Sequence, residues 1–468
     1  MPTSANDETK RYALIIAAFA SFIPPFMSSS INIALPAISE DFAMDAIMLG
    51  WIATSYLLAA AVFMVPFGRL ADIHGMKKLF ICGLAIYTVS SFLAFLAPSS
   101  AFLIATRVLQ GIGSAMVFGS GTAILVNVFP LGERGKVLGI NAAFVYLGLS
   151  LGPFIGGLLT QYMGWRSLFL INVPMAFIPL ALTIWKLEGE WADAHGEIFD
   201  LVGSVIYSLM LISIMYGFSQ LPDFEGVIMF LAGATAFLVL IIWESKAECP
   251  ILDVNLFRYN HVYAFSNLAS LINYSATFGV GFLLSLYLQY IKGLEPDQAG
   301  LVLLMQPLVM TLFSPYSGRL SDRIEPRIVA TAGMTLTFAS VLMLSFISWD
   351  TGIIMIALAL LFLGIGLAFF ISPNTNAIMS SIDRKHYGVG SATLGTMRLV
   401  GQVTSMGIVM MVFSIILGRL EIIPEYYPLF LQSTKVAFAI FSVLCFTGIF
   451  ASFARGALRK ADQPSNNK

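Results

Sequence analysis

Fourteen long runs of apolar residues divide the chain, and this pattern limits the possible fold more than any other feature. A helix needs about 20 residues to cross the hydrocarbon core of a bilayer. In lipid a single segment of this length satisfies its backbone hydrogen bonds only as a helix, so the pattern predicts fourteen membrane-spanning helices. The composition agrees, because 11% of the 468 residues are charged, against about 25% in a soluble domain. The expected spans are 12–35, 48–67, 79–97, 101–125, 136–160, 167–186, 199–219, 226–243, 261–291, 298–317, 327–348, 352–375, 388–416 and 436–456.

The placement of lysine and arginine predicts the orientation of these helices. Nineteen of them fall in the segments on the side of the two chain ends, and four fall on the other side: Arg166, Lys292, Arg419 and Lys435. Cytoplasmic loops collect positive charge. We therefore expect a multi-pass protein of the cell (plasma or inner) membrane with both termini in the cytoplasm.

A charged segment occurs twice between apolar runs. Residues 68–80 read GRLADIHGMKKLF and residues 318–328 read GRLSDRIEPRI, so Gly-Arg-Leu-x-Asp returns 250 positions later. The first copy joins runs 2 and 3. The second joins runs 10 and 11, which become 8 and 9 if the pair at 199–243 is set aside. Duplicated halves around a midplane site are typical of secondary transporters. The sequence predicts an all-α integral membrane protein with six-helix bundles at 12–186 and 258–457, joined by a linker, 187–257, with two extra spans.

The first copy resembles the loop motif of the major facilitator superfamily, with His74 and Met76 in place of its usual basic residues. In that superfamily the loop latches the two halves in the outward-facing state, and the resemblance implies a gating role for both copies. A simpler interpretation is a positively charged cytoplasmic turn. The candidate gating residues are Gly68, Arg69, Asp72, Gly75, Lys77, Lys78, Gly318, Arg319 and Asp322.

The fifth run reads GINAAFVYLGLSLGPFIGG and is similar to the G-x8-G-x3-G-P-x2-G-G motif of antiporters in this superfamily. The residues that match are Gly139, Gly148, Gly152, Pro153, Gly156 and Gly157. Glycine at every fourth position gives a helix face that a neighbour can approach closely, and proline removes a backbone donor. The resemblance implies export rather than uptake; helix packing alone is the alternative.

Three further strings resemble the fourteen-helix drug:proton antiporter branch. They are FDLVGSVIY from Phe199, LYLQYIKGLEPDQAGL at 286–301, and GTMRLVGQVTSMG, which contains Arg398, Gly401 and Gln402. In the fourth run, RVLQGIGSAM contains Arg107 and Gln110 and is similar to a further motif of the superfamily. The resemblance implies a secondary active exporter of small amphiphilic or drug-like molecules that works by alternating access.

The first run departs from this branch. It reads FMSSSINIALP, in which Asn32, Ala34, Leu35 and Pro36 align with the branch while Met27 stands where its acid belongs. No carboxylate lies well inside any run, which weakens the expectation of proton chemistry on a buried acid with a raised pKa. Arg107 and Arg398 therefore need water, carbonyls, amides or substrate as partners.

The polar residues within the runs are the candidates for lining a substrate cavity. Each can instead be a hydrogen bond between helices, worth about 0.6 kcal/mol. The candidates are Ser29, Asn32, Arg107, Gln110, Asn141, Asn267, Asn273, Gln306, Asn374, Arg398 and Gln402.

Other functional classes fit less well. No phosphate-binding loop of a primary pump occurs, and the runs hold no acid pair, histidine cluster or cysteine nucleophile of an embedded enzyme. The three cysteines have no metal-binding spacing. We expect a small-molecule substrate, protons as the candidate coupling ion, a monomer, and no catalytic residue, metal, cofactor or nucleic acid. The alternative is a transporter of an anionic or neutral metabolite not strictly coupled to protons. With two arginines and no acid, we also expect lipophilic dications to be disfavoured.

Overall fold

The computed structural model describes residues 7–192, 199–246, 254–382 and 387–456, which are almost entirely helical. The first half contains α1 (Asp7–Phe42), α2 (Ala46–His74), α3 (Met76–Phe95), α4 (Ser100–Val128), α5 (Leu131–Met163) and α6 (Arg166–Lys186). An inserted pair follows, α7 (Leu201–Gln220) and α8 (Phe224–Glu244). The second half contains α9 (Val254–Tyr259), α10 (His261–Leu286), a one-turn π-helix (Tyr287–Ile291), α11 (Pro296–Leu303), α12 (Met305–Arg323), α13 (Pro326–Ser345), α14 (Ile353–Ser380), α15 (Tyr387–Ile416), a 3₁₀ turn (Pro424–Tyr426) and α16 (Tyr427–Ala454).

The prediction of fourteen spans is confirmed. Within the described ranges, fourteen helical segments are long and apolar enough to cross a membrane. The π-helix extends α10, and α11 and α12 together form one span. α9, with six residues, is too short to cross a bilayer.

The two halves repeat the same packing, which confirms the two-bundle architecture. In the first half α1 packs on α5, α2 on α4, and α3 on both α4 and α6. In the second half α10 packs on α15, α12 on α14, and α13 on both α14 and α16. Each pair in the first set corresponds to the pair at the same place in the second, as expected for a duplicated bundle.

The inserted pair lies beside the seam between the halves. α7 contacts α2 of the first half, where the Tyr207 hydroxyl donates to the Ala61 carbonyl at 3.1 Å. It also contacts α15 of the second half, where Gly407 lies against Met215 and Phe218. α8 packs on α7 and leaves most of its surface exposed.

The helix ends differ from the sequence prediction at three places. α2 continues to His74, so Gly68 and Asp72 lie in its last turns instead of in a loop. The break comes at Gly75, whose φ of +120° strongly favours glycine. α12 likewise continues to Arg323, and α16 begins at Tyr427, so Lys435 lies in a helix and not in a loop. Apolar runs locate the spans, but polar residues extend a helix into water without changing its backbone bonding.

Because the number of spans is even, α1 begins and α16 ends on the same side of the molecule. We call this side the terminal face and the other side the opposite face. The halves are fastened to each other near the opposite face. There the Ala46 N–H donates to the Leu420 carbonyl at 3.1 Å. A Cβ added to Gly300 would lie 2.2 Å from the Pro153 carbonyl oxygen, so α11 and α5 are in backbone contact.

Candidate functional site

Four side chains from both halves come together between the bundles. They are Tyr56 of α2, Tyr146 of α5, Tyr274 of α10 and Arg398 of α15, and we call them the central site. The positive charge of Arg398 interacts electrostatically with all three tyrosine hydroxyls. Arg398 is half-buried, and its Nε makes no hydrogen bond to a described residue. This arrangement offers a cation and the hydroxyls of Tyr146 and Tyr274 to a molecule between the halves, whereas the Tyr56 hydroxyl is buried and bonded to Ser114 Oγ at 2.7 Å.

Close packing of α15 on α10 positions Arg398. A Cβ added to Gly401 would lie 2.8 Å from both the Leu271 carbonyl oxygen and the Tyr274 Cβ, so only glycine allows the two helices to approach this closely. Arg398 precedes Gly401 by three residues and therefore faces α10 on the neighbouring turn. It lies about 16 Å along α15 from Tyr387, close to the middle of the span.

Arg107 lies elsewhere, inside the first half, and is fully buried. Its Nε donates to the Ile52 carbonyl at 3.1 Å, its Nη1 donates to Gln110 Oε1 at 2.9 Å, and its guanidinium carbon lies 4.5 Å from the centre of the Tyr56 ring. Gln110 in turn donates to Ser91 Oγ at 2.8 Å. A carbonyl, an amide and an aromatic face thus meet the charge of Arg107, and all three belong to its own half, while its Nη2 makes no hydrogen bond to a described residue.

The other candidate cavity residues fall into two groups. Ser29, Asn32, Gln306 and Gln402 are half-buried. Ser29 Oγ bonds the Pro25 carbonyl of its own helix at 2.9 Å. Buried residues form the second group: Asn141, Asn267, Asn273 and Asn374.

Three of these asparagines bond within the second half. Asn374 donates to Ser270 Oγ at 2.7 Å and to the Ser266 carbonyl at 3.1 Å, while Asn267 donates to the Tyr263 carbonyl of its own helix at 3.0 Å. Asn273 donates to Met334 Sδ at 3.4 Å. These hydrogen bonds join neighbouring helices or lie within one helix. They fit the alternative given in the sequence analysis, in which such residues stabilise helix packing instead of lining a cavity.

Met27, which stands where the antiporter branch has an acid, also faces away from the central site. Met27 is fully buried, and the Asn172 amide of α6 lies 3.1 Å from its sulfur. Among the described residues, every aspartate and glutamate of the spans lies within about two turns of a helix end. The middle of these helices therefore carries positive charge without a carboxylate.

Sequence reasoning missed all three tyrosines of the central site, Tyr56, Tyr146 and Tyr274. A tyrosine in an apolar run is most often a packing residue whose hydroxyl finds a partner. The available signal was their position on helices that carry motifs, since Tyr146 lies within the glycine motif of α5 and Tyr274 follows the candidate Asn273.

The glycine motif of α5 serves two interfaces. Three members pack against α1: an added Cβ would lie 2.5 Å from the Phe22 carbonyl oxygen at Gly148, 1.8 Å from Ser29 Oγ at Gly152, and 2.8 Å from Ser30 Cα at Gly156. Gly157 faces the second half, where its Cβ would lie 2.5 Å from the Pro296 carbonyl oxygen. Gly139 has open space around it.

The first charged segment contacts the chain that follows α6. The Met76 N–H donates to the Trp191 carbonyl and the Lys77 N–H to Glu190 Oε1, both at 2.8 Å. A Cβ at Gly75 would lie 2.6 Å from that same carboxylate oxygen, so this contact also requires glycine.

The second charged segment is bonded to α14. The Asn376 amide donates to Ser321 Oγ at 3.2 Å, and Ser317, the residue just before the segment, donates its Oγ–H to the Ala368 carbonyl at 2.6 Å. The contacts of each segment named here therefore stay within its own half or the linker beside it.

Comparison with known proteins agrees with the fold. The family model of the Major Facilitator Superfamily matches residues 17–243 and 267–468. The riboflavin transporter RibZ of Clostridioides difficile is 32% identical over 392 residues, which are 83% of this chain and 85% of that protein. The cephamycin export protein CmcT of Amycolatopsis lactamdurans is 31% identical over 413 residues, 85% of this chain and 84% of that one.

Among solved structures, a peptide transporter, POT, superposes with a TM-score of 0.70 at 13% identity and covers 96% of each chain. At this identity the likeness concerns the fold alone. The family model, the relatives and the repeated six-helix packing agree, and the chain belongs to the major facilitator superfamily of membrane transporters.

Proposed function

We propose that the chain is a secondary active exporter that moves small amphiphilic or drug-like molecules across the cell membrane by alternating access. The central site supports this most directly, because its four side chains come from both halves. A molecule held by Arg398 and Tyr274 on one side and by Tyr146 on the other changes its exposure when the halves rock about it. The glycine motif of α5 supports export, and so does the likeness to the cephamycin export protein.

The charge of the site favours some substrates over others. Arg398 is half-buried and the described spans hold no carboxylate near their middle. A like charge at about 8 Å costs about 2 kcal/mol at an effective dielectric constant of about 20. A dication meets this repulsion twice, whereas a neutral, zwitterionic or anionic amphiphile does not. The preferred substrates are therefore neutral or anionic.

A second candidate function has its own support. Met27 fills the position of the branch's acid and is buried against α6, so the usual carboxylate for proton coupling is absent there. The relative named as a riboflavin transporter is matched over 83% of this chain. Transport of a neutral or anionic metabolite without strict proton coupling fits both observations.

The same proposal includes an arrangement in the membrane. The halves 12–186 and 258–457 are the moving bundles, and 187–257 links them and carries the inserted pair. The terminal face is cytoplasmic, the protein works as a monomer, and protons are the coupling ion to test. The excess of lysine and arginine on the terminal side supports this orientation.

Transport by purified protein in liposomes tests the proposal. Counterflow would be measured with labelled neutral, anionic and dicationic amphiphiles and with riboflavin. We expect exchange of at least one neutral or anionic amphiphile. Inside-out membrane vesicles with an imposed pH gradient then test direction: accumulation there supports export, and accumulation only in right-side-out vesicles would contradict it. Export that does not respond to the pH gradient would favour the second candidate.

A further inference from the structure

One carbonyl of α1 lacks its helical donor. Pro36 lies inside α1 and has no N–H, so the carbonyl four residues earlier, that of Asn32, receives no i→i−4 hydrogen bond. In surroundings without water an unsatisfied carbonyl costs several kcal/mol. The sequence of α1 therefore creates a strong acceptor that another element must satisfy.

The donor comes from the other half of the molecule. Ser285 Oγ of α10 donates to the Asn32 carbonyl at 2.7 Å, and Ser285 is fully buried. One turn later Gln289 Nε2 donates to the Ile33 carbonyl at 3.1 Å. The same Nε2 lies 3.1 Å from Ser285 Oγ, so the two side chains form one connected group. Two adjacent carbonyls of α1 are thus held by two residues of the second half.

The local backbone and the position of this contact fit a moving part. Gln289 lies in the one-turn π-helix that extends α10, and such turns frequently occur at functional sites. Pro36 precedes the end of α1 by six residues, about 9 Å. The contact therefore lies between the central site and the opposite face, where Ala46 also bonds Leu420.

We propose that Ser285 and Gln289, bound to the carbonyls of Asn32 and Ile33, form a latch that holds the two halves closed at the opposite face. The proline is part of the latch, because no N–H of α1 competes with Ser285 for the Asn32 carbonyl. When the halves part, entering water replaces both donors, so the latch stabilises the closed face without trapping it. The inference rests on the proposed alternating access. The latch also gives one role to two segments that resemble the antiporter branch. These are residues 32–36 of α1 and the LYLQ sequence at 286–289, where α10 passes into the π-helix.

Distance measurement across the opposite face tests the latch. The proposed label positions are Tyr162, in the last turn of α5, and Asp350, in the loop between α13 and α14; both are exposed and they lie on different halves. In a cysteine-free background and without substrate, double electron–electron resonance spectroscopy would measure the distance between the two labels. It would report the populations with a short and with a long distance. Each lost hydrogen bond should raise the open-to-closed ratio about three- to fivefold, so Ser285→Ala and Gln289→Ala should both enrich the long distance.

Pro36→Ala tests the origin of the latch. Alanine restores an N–H that takes the Asn32 carbonyl back into the helix, so this variant should open the face as Ser285→Ala does. The two changes act on one hydrogen bond, and the double variant should therefore open no further than Ser285→Ala alone. The controls are Ser275→Ala, whose hydroxyl bonds the Leu271 carbonyl of its own helix at 2.7 Å, and Pro24→Ala, another proline of α1. Neither should change the distances.

An unchanged distance distribution in the combined Ser285→Ala, Gln289→Ala variant would overturn the latch, and so would strictly additive effects of Pro36→Ala and Ser285→Ala. Equal opening by Ser275→Ala or Pro24→Ala would overturn it as well. Because no substrate is present, any of these results leaves the export proposal standing. Conversely, failed export with the expected distances would refute the export proposal alone.

Discussion

Arg107 and Arg398 both lie within spans, yet their surroundings differ. Arg107 is fully buried and takes its partners, the Ile52 carbonyl, Gln110 and the Tyr56 ring, from its own half. Arg398 is half-buried, and the tyrosines around it come from both halves. An arginine whose partners all belong to its own half keeps them when the halves move. The proposed substrate site needs the other kind, an arginine between the halves whose partners change.

The same difference holds for packing. Inside the first half, α5 lies so close to α1 that a single added carbon at Gly152 would overlap Ser29 Oγ. Between the halves near the opposite face, Ser285 and Gln289 make hydrogen bonds that water can replace. Close backbone packing makes each half a rigid body. Between the halves, α5 and α11 are also in backbone contact at Gly157 and Gly300, and the hydrogen bonds beside this contact are the part that water can replace when the bodies separate.

The largest expected effect tests the rigid interface. We expect Gly152→Leu to abolish transport, because an added Cβ already lies 1.8 Å from Ser29 Oγ and overpacking of this kind typically costs about 1–3 kcal/mol or more. Gly139→Leu is the matched control on the same helix, where a Cβ meets nothing within 4 Å. Transport rates would be compared at equal protein in the membrane. Full activity of Gly152→Leu would contradict the described contact between α1 and α5.

The second largest expected effect distinguishes the structural role of Arg107 from the role of Arg398. Arg107→Lys should lower both the unfolding temperature and the transport rate. Lysine keeps the charge but loses the planar guanidinium group, which donates to both the Ile52 carbonyl and Gln110 Oε1. Hydrogen bonds of a charged group are worth about 1.5–3 kcal/mol. Thermal unfolding of the purified protein would measure the loss, and Arg398→Lys should leave the unfolding temperature nearly unchanged. A similar loss in both variants would remove the distinction drawn between the two sites.

A smaller effect is expected at the terminal face, where the charged segments lie. Asp72→Asn should reduce transport up to about fivefold while leaving membrane insertion intact, because weakening one polar contact of this carboxylate costs about 1 kcal/mol. Asp322→Asn is the equivalent change in the second half. Transport assays at matched abundance would measure both. Unchanged rates in both variants would leave these segments with only a role in topology.

The sequence predicted much of the fold and less of the site. Fourteen spans, the repeated halves and the close face of Gly148, Gly152 and Gly156 follow from run length and spacing. The direction in which Arg107 or Tyr146 points does not, because helices that are apolar on all sides carry no stripe that marks one face. The donors to the Asn32 carbonyl were equally hidden: Pro36 predicts that a partner is needed, but only the packing of α10 identifies Ser285.

The most direct test of the account is the ratio of dicationic to neutral amphiphile transport, measured in liposomes for the unsubstituted protein, Arg398→Ala and Arg398→Lys. Repulsion of about 2 kcal/mol for each like charge corresponds to about 30-fold. We expect a low ratio in the unsubstituted protein and in Arg398→Lys, and a rise of about 30-fold or more in Arg398→Ala. Equal transport of both compounds by the unsubstituted protein, with no change in Arg398→Ala, would contradict the assignment of Arg398 to the substrate site.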